Sequence, residues 1–234
     1  MKILQILLLS CFTVSWAQAQ FDLDSNYYSA SYLSFGYGNF SAAELQSFAP
    51  NLSAPGPDKF IFGLQSLVMK RNLCIGFGMN GMLGNTLENE QMEFNHSAFL
   101  FGLDVGYPLL STAKHKLYPK LGVVWVIEYL QINQKQNLNL QQVQQNFERE
   151  INIDKGSLGF DFSLNWDFVP RWKEIKGRQG YGGFLIGLSA GYLCTLANDN
   201  WKYSGGEING APTFGTQGFY VKLTLGAATT AKDD

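Results

Sequence analysis

The sequence has 234 residues, a formal net charge of −2 and a mean hydropathy of −0.07. A net charge this close to zero gives no footprint of nucleic-acid binding, so no nucleic-acid partner is expected. With 25 glycines, 15% aromatic and 15% charged residues, the chain is too rich in glycine and aromatic residues for an average soluble domain and too polar for a helical membrane protein.

Residues 1–19 have the pattern of a secretory signal peptide. A lysine at the second position is followed by an apolar region over 3–16 and by a small-x-small motif that ends at Ala19. Cleavage between Ala19 and Gln20 is therefore predicted. An alternative acylates Cys11 in a lipobox, but that interpretation leaves an apolar region of only seven residues.

Period-two alternation of apolar and polar residues predicts eight strands in the mature chain. From Leu158 to Phe168 every even position is large and apolar, and every odd position is glycine or polar. Such a segment forms a strand with one apolar and one polar face. Comparable patterns place the strands at 27–38, 59–69, 73–84, 94–107, 117–130, 156–168, 181–195 and 217–227. Each is close to the ~9–11 residues that cross a bilayer at a tilt.

The connections between these strands alternate in length. Those at 39–58, 85–93, 131–155 and 196–216 are mostly long, whereas those at 70–72, 108–116 and 169–180 are shorter. Long extracellular loops and short periplasmic turns are typical of outer-membrane barrels. The fold class predicted for residues 20–234 is therefore all-β, an eight-stranded antiparallel up-and-down transmembrane β-barrel. Both mature termini are then periplasmic, with a short C-terminal tail from Ala227.

The alternation also predicts which side chains face lipid. Phe162 and Leu188 are expected near mid-membrane on the outside, and Ser163 is expected to point inward. Aromatic residues near strand ends are expected to form the interfacial girdles of the barrel. These residues are Tyr37, Tyr107, Tyr129, Trp166, Phe168 and Tyr192.

Three charged residues are predicted to form a structural cluster inside the barrel. Asp104, Lys120 and Asp167 lie at inward positions of adjacent strands, toward the periplasmic end. An eight-stranded barrel has an interior that side chains fill, so these charges are expected to pair with one another. A narrow ion path through the same residues is the alternative.

No catalytic residue, cofactor or metal site is predicted. His96 and Ser97 superficially suggest a lipid-modifying hydrolase, but adjacent strand residues point to opposite faces. The acidic loop segments lack the glycine and terminal glutamate of a calcium loop. Cys74 and Cys194 are predicted near opposite ends of the barrel, too far apart for a disulfide.

These patterns resemble the small eight-stranded outer-membrane barrel family of Gram-negative bacteria, the OmpA-barrel and OmpX-like group. The resemblance implies that the last strand is the insertion signal read by the barrel-assembly machinery, with Phe219, Val221, Leu223 and Leu225 as its alternating residues. The chain departs from the usual signal because it has no terminal Phe or Trp and continues over 227–234.

The function expected from this architecture is non-enzymatic. The barrel would lie among outer-membrane lipid and lipopolysaccharide, with a structural or interaction role and a protein partner bound through the extracellular loops. Two alternatives remain, a lipid-modifying barrel enzyme that uses His96 and a transporter for a small ligand or ion.

Overall fold

The computed structural model describes residues 27–40, 58–84, 87–88, 92–134, 150–175, 180–196, 200–203, 205–208 and 216–231. The predicted signal peptide, its cleavage site at Ala19 and Gln20, and Cys11 lie outside these residues. Among the described residues, no helix is both long and apolar enough to cross a membrane.

The described chain forms a sheet of thirteen strands, eight of which are long. The eight long strands, labelled in chain order, are β1 (Tyr27–Phe40), β2 (Asp58–Lys70), β3 (Leu73–Gly84), β4 (Met92–Gly106), β5 (His115–Gln134), β6 (Glu150–Phe168), β7 (Gly180–Thr195) and β8 (Gln217–Ala231). The predicted number and order of strands are confirmed.

The eight strands close into an antiparallel barrel. Each pairs with its neighbours in chain order. Strand β8 then pairs with β1, from Thr230 opposite Tyr28 to Gly218 opposite Phe40. Full closure leaves no unpaired strand edge along the barrel wall. The predicted all-β, up-and-down barrel is therefore the fold of the protein.

The two ends of the barrel differ in their connections. We call the end with the connections 71–72, 107–114 and 169–179 the turn end, and the opposite end the loop end. The turn-end connections include a hairpin in which Leu110–Ser111 pairs with β5, and a short strand, Trp172–Glu174, that pairs with β7.

Three strands extend beyond their predicted bounds by four or more residues at one end. At the loop end β5 continues to Gln134 and β6 starts at Glu150, where Asn133 lies opposite Glu150. Part of the predicted loop 131–155 is thus paired strand. At the turn end β8 continues to Ala231, which corrects the predicted start of the tail at Ala227. Small residues such as Ala228 and Thr230 weaken the apolar pattern, but their backbone pairs with β1 and β7.

The outside of the barrel is apolar. Phe162 and Leu188 are 53% and 47% exposed, as the alternation predicts, whereas the neighbouring Ser163 is buried inside. Every barrel strand contributes at least one exposed large apolar side chain, for example Leu33, Phe60, Ile75, Leu103, Val123, Phe162, Leu188 and Val221. An apolar band around a closed barrel is the surface that faces lipid in a membrane-spanning barrel.

The inside of the barrel is filled by two apolar clusters as well as by polar groups. The cluster toward the turn end includes Tyr28, Tyr32, Leu67, Tyr118 and Leu185, all buried. The cluster toward the loop end includes Phe40, Ile61, Met82, Val126 and Leu193. The interior is therefore less polar than the alternating pattern predicts, and the buried charges lie between and beside apolar layers.

Candidate functional site

The chemically distinctive part of the described chain is the set of ionisable side chains that point into the barrel. Apart from Lys116 at the turn-end mouth, it consists of four lysines and four carboxylates, with one histidine among them. Equal numbers of the two signs leave no net charge inside, which limits the cost of placing ions away from water. The lysines are Lys59, Lys120, Lys155 and Lys222, and the carboxylates are Asp104, Glu128, Asp161 and Asp167.

Asp104 and Lys120 form an ion pair toward the turn end. The Lys120 Nζ donates to the Asp104 Oδ2 at 3.0 Å, and both side chains are buried. Gly122 lies directly opposite Asp104 on β5. A Cβ atom at Gly122 would collide with the Asp104 carboxylate, so the glycine provides the space in which the carboxylate reaches Lys120.

Asp167 lies closer to the turn end and has different partners. The hydroxyls of Tyr28 and Tyr118 each donate to the Asp167 Oδ2 at 3.0 Å. The structure thus brings Asp104 and Lys120 together, while the hydrogen bonds found for Asp167 come from two tyrosines. Lys116 lies near the same mouth, with its Nζ 5.5 Å from the centroid of the Tyr28 ring.

A third group occupies the middle of the barrel. The Tyr220 hydroxyl donates to the Asp161 Oδ1 at 2.6 Å, and the Lys222 Nζ lies 4.6 Å from the Tyr220 ring centroid. Lys222 also interacts electrostatically with Asp161. The Lys222 charge is therefore stabilised by a carboxylate and by an aromatic face.

A larger polar group lies at the loop end. The Lys59 Nζ is 2.6 Å from the His96 Nδ1, and the His96 Nε2 is 3.9 Å from the Glu128 Oε1. When Lys59 carries its proton the ammonium group only donates, and the His96 Nδ1 then accepts with the ring proton on Nε2. The Thr216 hydroxyl donates to the Glu128 carboxylate. Glu128 also lies directly opposite Lys155 on β6.

A buried tryptophan lies near Lys155 at the loop end. Trp201 has no solvent exposure, and its ring centroid lies 5.9 Å from the Lys155 Nζ. The segment after Trp201 is held in place because Lys202 and Tyr203 pair with Asp154 and Ile153 of β6. The described residues 200–203 of this connection therefore place an aromatic ring near the buried lysine.

The arrangement of His96 does not provide a hydrolase site. Its side chain is 7% exposed and lies inside the barrel. Lys59 occupies its Nδ1, and Ser97 points to the opposite face of β4. A general base must reach a nucleophile that a substrate can also reach, and this geometry offers neither.

Metal and thiol chemistry have no site in the described strands. No cluster of three or more His, Cys, Asp or Glu residues with metal-binding geometry occurs there. Cys74 is buried near the turn end opposite Gly106, whereas Cys194 lies near the loop end opposite Gln217. Both are free thiols, in agreement with the predicted separation.

Three of these interactions have no counterpart among the predictions from the sequence. They are the hydrogen bonds of two tyrosines to Asp167, the Lys59 contact with His96, and the contact of Trp201 with Lys155. Alternation places Lys59, Glu128 and Lys155 at inward positions, so a complete list of inward charges would have pointed to the loop-end group. Trp201 lies outside any alternating segment, and no pattern in the sequence predicts its position.

Several solved structures are similar to this chain at low sequence identity. Neisserial surface protein A is 7% identical, covering 88% of this chain and 97% of its own, with a TM-score of 0.41. A major outer membrane protein from Thermus thermophilus is 12% identical over 86% of this chain and 98% of its own, with a TM-score of 0.45. The Ail protein of Yersinia pestis is 10% identical over 86% and 98% of the two chains, with a TM-score of 0.39.

The chain matches no protein-family model, and no curated protein is similar to it in sequence. With TM-scores this low, the strand pairing and not these similarities establishes the fold. That pairing gives the small eight-stranded barrel, with an apolar exterior and a charge-balanced interior, to which the sequence pattern points.

Proposed function

We propose that this chain is a non-enzymatic integral protein of the bacterial outer membrane with a structural or interaction role through its loop end. The observation that carries the proposal is that the inward charges are held by other side chains of the barrel, as in the pair of Asp104 and Lys120. A lumen organised in this way stabilises the barrel and leaves its rims as the surfaces that meet other molecules.

The proposed orientation has the loop end outside the cell and both termini in the periplasm. The long connections and the extended hairpin of β5 and β6 support it, because extracellular loops of such barrels are the longer ones. Lipopolysaccharide and a surface protein are the partners proposed for this end. The outward Phe219, Val221 and Leu223 on β8 support the proposal that this strand is read by the barrel-assembly machinery, together with Leu225.

The transporter alternative is less well supported by the interior. A path through the lumen would have to pass the apolar layers that contain Leu185 at the turn end and Leu193 at the loop end, both at most 1% exposed. The enzyme alternative requires a reachable His96, and that side chain is buried.

The interaction role is tested by site-specific photo-crosslinking in native outer membranes. A benzophenone amino acid at Tyr203, which is 44% exposed at the loop end, is expected to yield adducts with lipopolysaccharide or a surface protein. The matched control is the same amino acid at Ala113, an exposed position of the turn end. The proposal is wrong if Tyr203 gives no adduct, or if Ala113 gives the same ones.

A further inference from the structure

The exposed charges of the barrel are distributed unequally between its two ends. At the turn end, Lys70, Arg71, Lys114, Arg171 and Lys173 are exposed. Among the described residues of that end, Glu174 is the only exposed carboxylate. At the loop end the described exposed charges are mainly acidic, with Asp58, Asp154 and Glu207 against Lys202.

The sequence next to the turn end reduces this excess of cations but does not reverse it. Segments 20–26, 176–179 and 232–234 adjoin the turn-end ends of the strands in sequence and add three cations and four carboxylates. Cations therefore remain in excess at this end. We call Arg71, Lys114, Arg171 and Lys173 the basic rim.

Three residues of the basic rim are brought together by hydrogen bonds between two connections. The Val169 N–H donates to the Lys114 carbonyl at 2.9 Å, and the Trp172 Nε1 donates to the Ala113 carbonyl at 2.5 Å. These bonds join the hairpin that carries Lys114 to the connection that carries Arg171 and Lys173. The three cations are thus held on one joined structure instead of on independent turns.

Arg71 occupies a backbone position that disfavours it. Its φ is 55°, in the left-handed region that glycine and asparagine adopt more readily. The tight turn between β2 and β3 therefore holds a cation at its tip in a backbone conformation that costs free energy. A glycine at this position would remove the charge and would adopt the backbone conformation of the turn more readily.

Apolar side chains accompany the cations at this end. On the hairpin, Tyr107, Leu109 and Leu110 are 52%, 62% and 46% exposed. On the adjacent wall the rings of His115, Trp166 and Phe168 stack, with centroid distances of 4.8 to 6.2 Å. Exposed cations beside aromatic and aliphatic groups suit the headgroup region of a bilayer, where amphipathic aromatics and lysines anchor.

We propose that the basic rim binds the headgroups of anionic phospholipids in the leaflet at the turn end. Lysine and arginine side chains supply the positive charge, and the hairpin carrying Leu109 and Leu110 enters the interface between headgroups and acyl chains. In the orientation proposed above this is the periplasmic leaflet, but the lipid preference itself does not depend on which way the barrel faces.

The test measures lipid selectivity of the whole folded protein in bilayers of phosphatidylcholine. Spin-labelled phosphatidylglycerol and spin-labelled phosphatidylcholine are compared by electron paramagnetic resonance. The wild type is expected to prefer phosphatidylglycerol to phosphatidylcholine by about fivefold. This is the effect of roughly one cation in full contact with an anionic headgroup. The selectivity is expected to decrease in high salt, because rim charges are screened.

The variant R71G/K114Q/R171Q/K173Q is expected to lose most of this selectivity. A matched pair of single variants, Lys173→Gln at the turn end and Lys202→Gln at the loop end, separates the rim from a general loss of charge. Only Lys173→Gln is expected to lower the selectivity. If the quadruple variant does not fold, Lys114→Gln together with Lys173→Gln replaces it.

Two results would overturn the proposal. One is a wild type without preference for phosphatidylglycerol, and the other is a rim variant that keeps the wild-type preference. Co-sedimentation with purified peptidoglycan tests whether the basic rim binds an anionic polymer instead of lipid. Rim-dependent sedimentation without lipid selectivity would assign the rim to an anionic polymer and contradict the lipid proposal.

Discussion

Lys120 and Asp104 lie on adjacent strands inside the barrel, with the Lys120 Nζ 3.0 Å from the Asp104 Oδ2. Asp104 lies opposite Gly122, two residues beyond Lys120 on β5, so the pair is diagonal across the two strands. Because Gly122 has no side chain, the Asp104 carboxylate can occupy the space beside Gly122 and reach the Lys120 Nζ. This relationship explains how a charged pair fits in a lumen otherwise filled by large side chains.

Lys120→Met is expected to destabilise the barrel by about 3–5 kcal/mol, because it leaves the Asp104 carboxylate buried without its cation. Adding Asp104→Asn should recover a large part of that loss through non-additive coupling. Urea unfolding from lipid vesicles measures the free energies of the single and double variants. Strictly additive effects would show that the two residues do not stabilise each other.

Tyr118→Phe is expected to destabilise the protein by about 1–3 kcal/mol, because Asp167 loses one of its two hydroxyl donors. The ring remains in its apolar cluster, so the change isolates the hydroxyl. Tyr28→Phe removes the other donor and serves as the matched variant. In the same unfolding assay, two unaffected variants would mean that Asp167 is stabilised by other groups.

Phe162→Arg is expected to cost about 2–4 kcal/mol, because the new charge would face the middle of the bilayer. Ser163→Ala changes the neighbouring inward position and should have a much smaller effect. Folding yield into liposomes, followed by urea unfolding, compares the two. Similar tolerance at both positions would contradict the assignment of lipid-facing and inward faces.

The orientation predicts which sites are labelled on intact cells. In a background without Cys74 and Cys194, Tyr203→Cys at the loop end should react with a membrane-impermeant maleimide. Ala113→Cys at the turn end should react only after the outer membrane is permeabilised. Tyr203 is a better labelling site than Gly205, because the φ of 82° at Gly205 would strain a cysteine. Labelling of Ala113→Cys on intact cells would reverse the orientation.

Most of the fold is predictable from the sequence because successive side chains of a barrel strand face the lipid and the lumen in turn. Strand β3 has the predicted bounds of 73–84, and Phe162 and Ser163 of β6 face the predicted sides. Strand β8 extends further than predicted because residues such as Ala228 are too small to show an alternation. Backbone pairing, which requires no side-chain pattern, decides where such a strand ends.

The interior contacts are less predictable than the wall. The period of two places Asp104, Lys120 and Asp167 inside, but it does not determine which inward groups meet across the lumen. Tyr28 reaches Asp167 from β1, a strand not adjacent to β6. Such contacts depend on the size of each side chain and on the shear of the closed barrel, neither of which a local pattern contains.

The most direct test of this account is a conductance measurement on the folded wild-type protein in planar lipid bilayers. Because apolar layers and paired charges fill the lumen, we expect no discrete conductance steps in concentrated potassium chloride. Trp201→Ala gives a comparison variant, since removal of a buried side chain at the loop end should add at most brief, irregular openings while the inner layers remain. Stable ohmic steps from the wild-type protein would contradict a closed lumen and favour the transporter alternative.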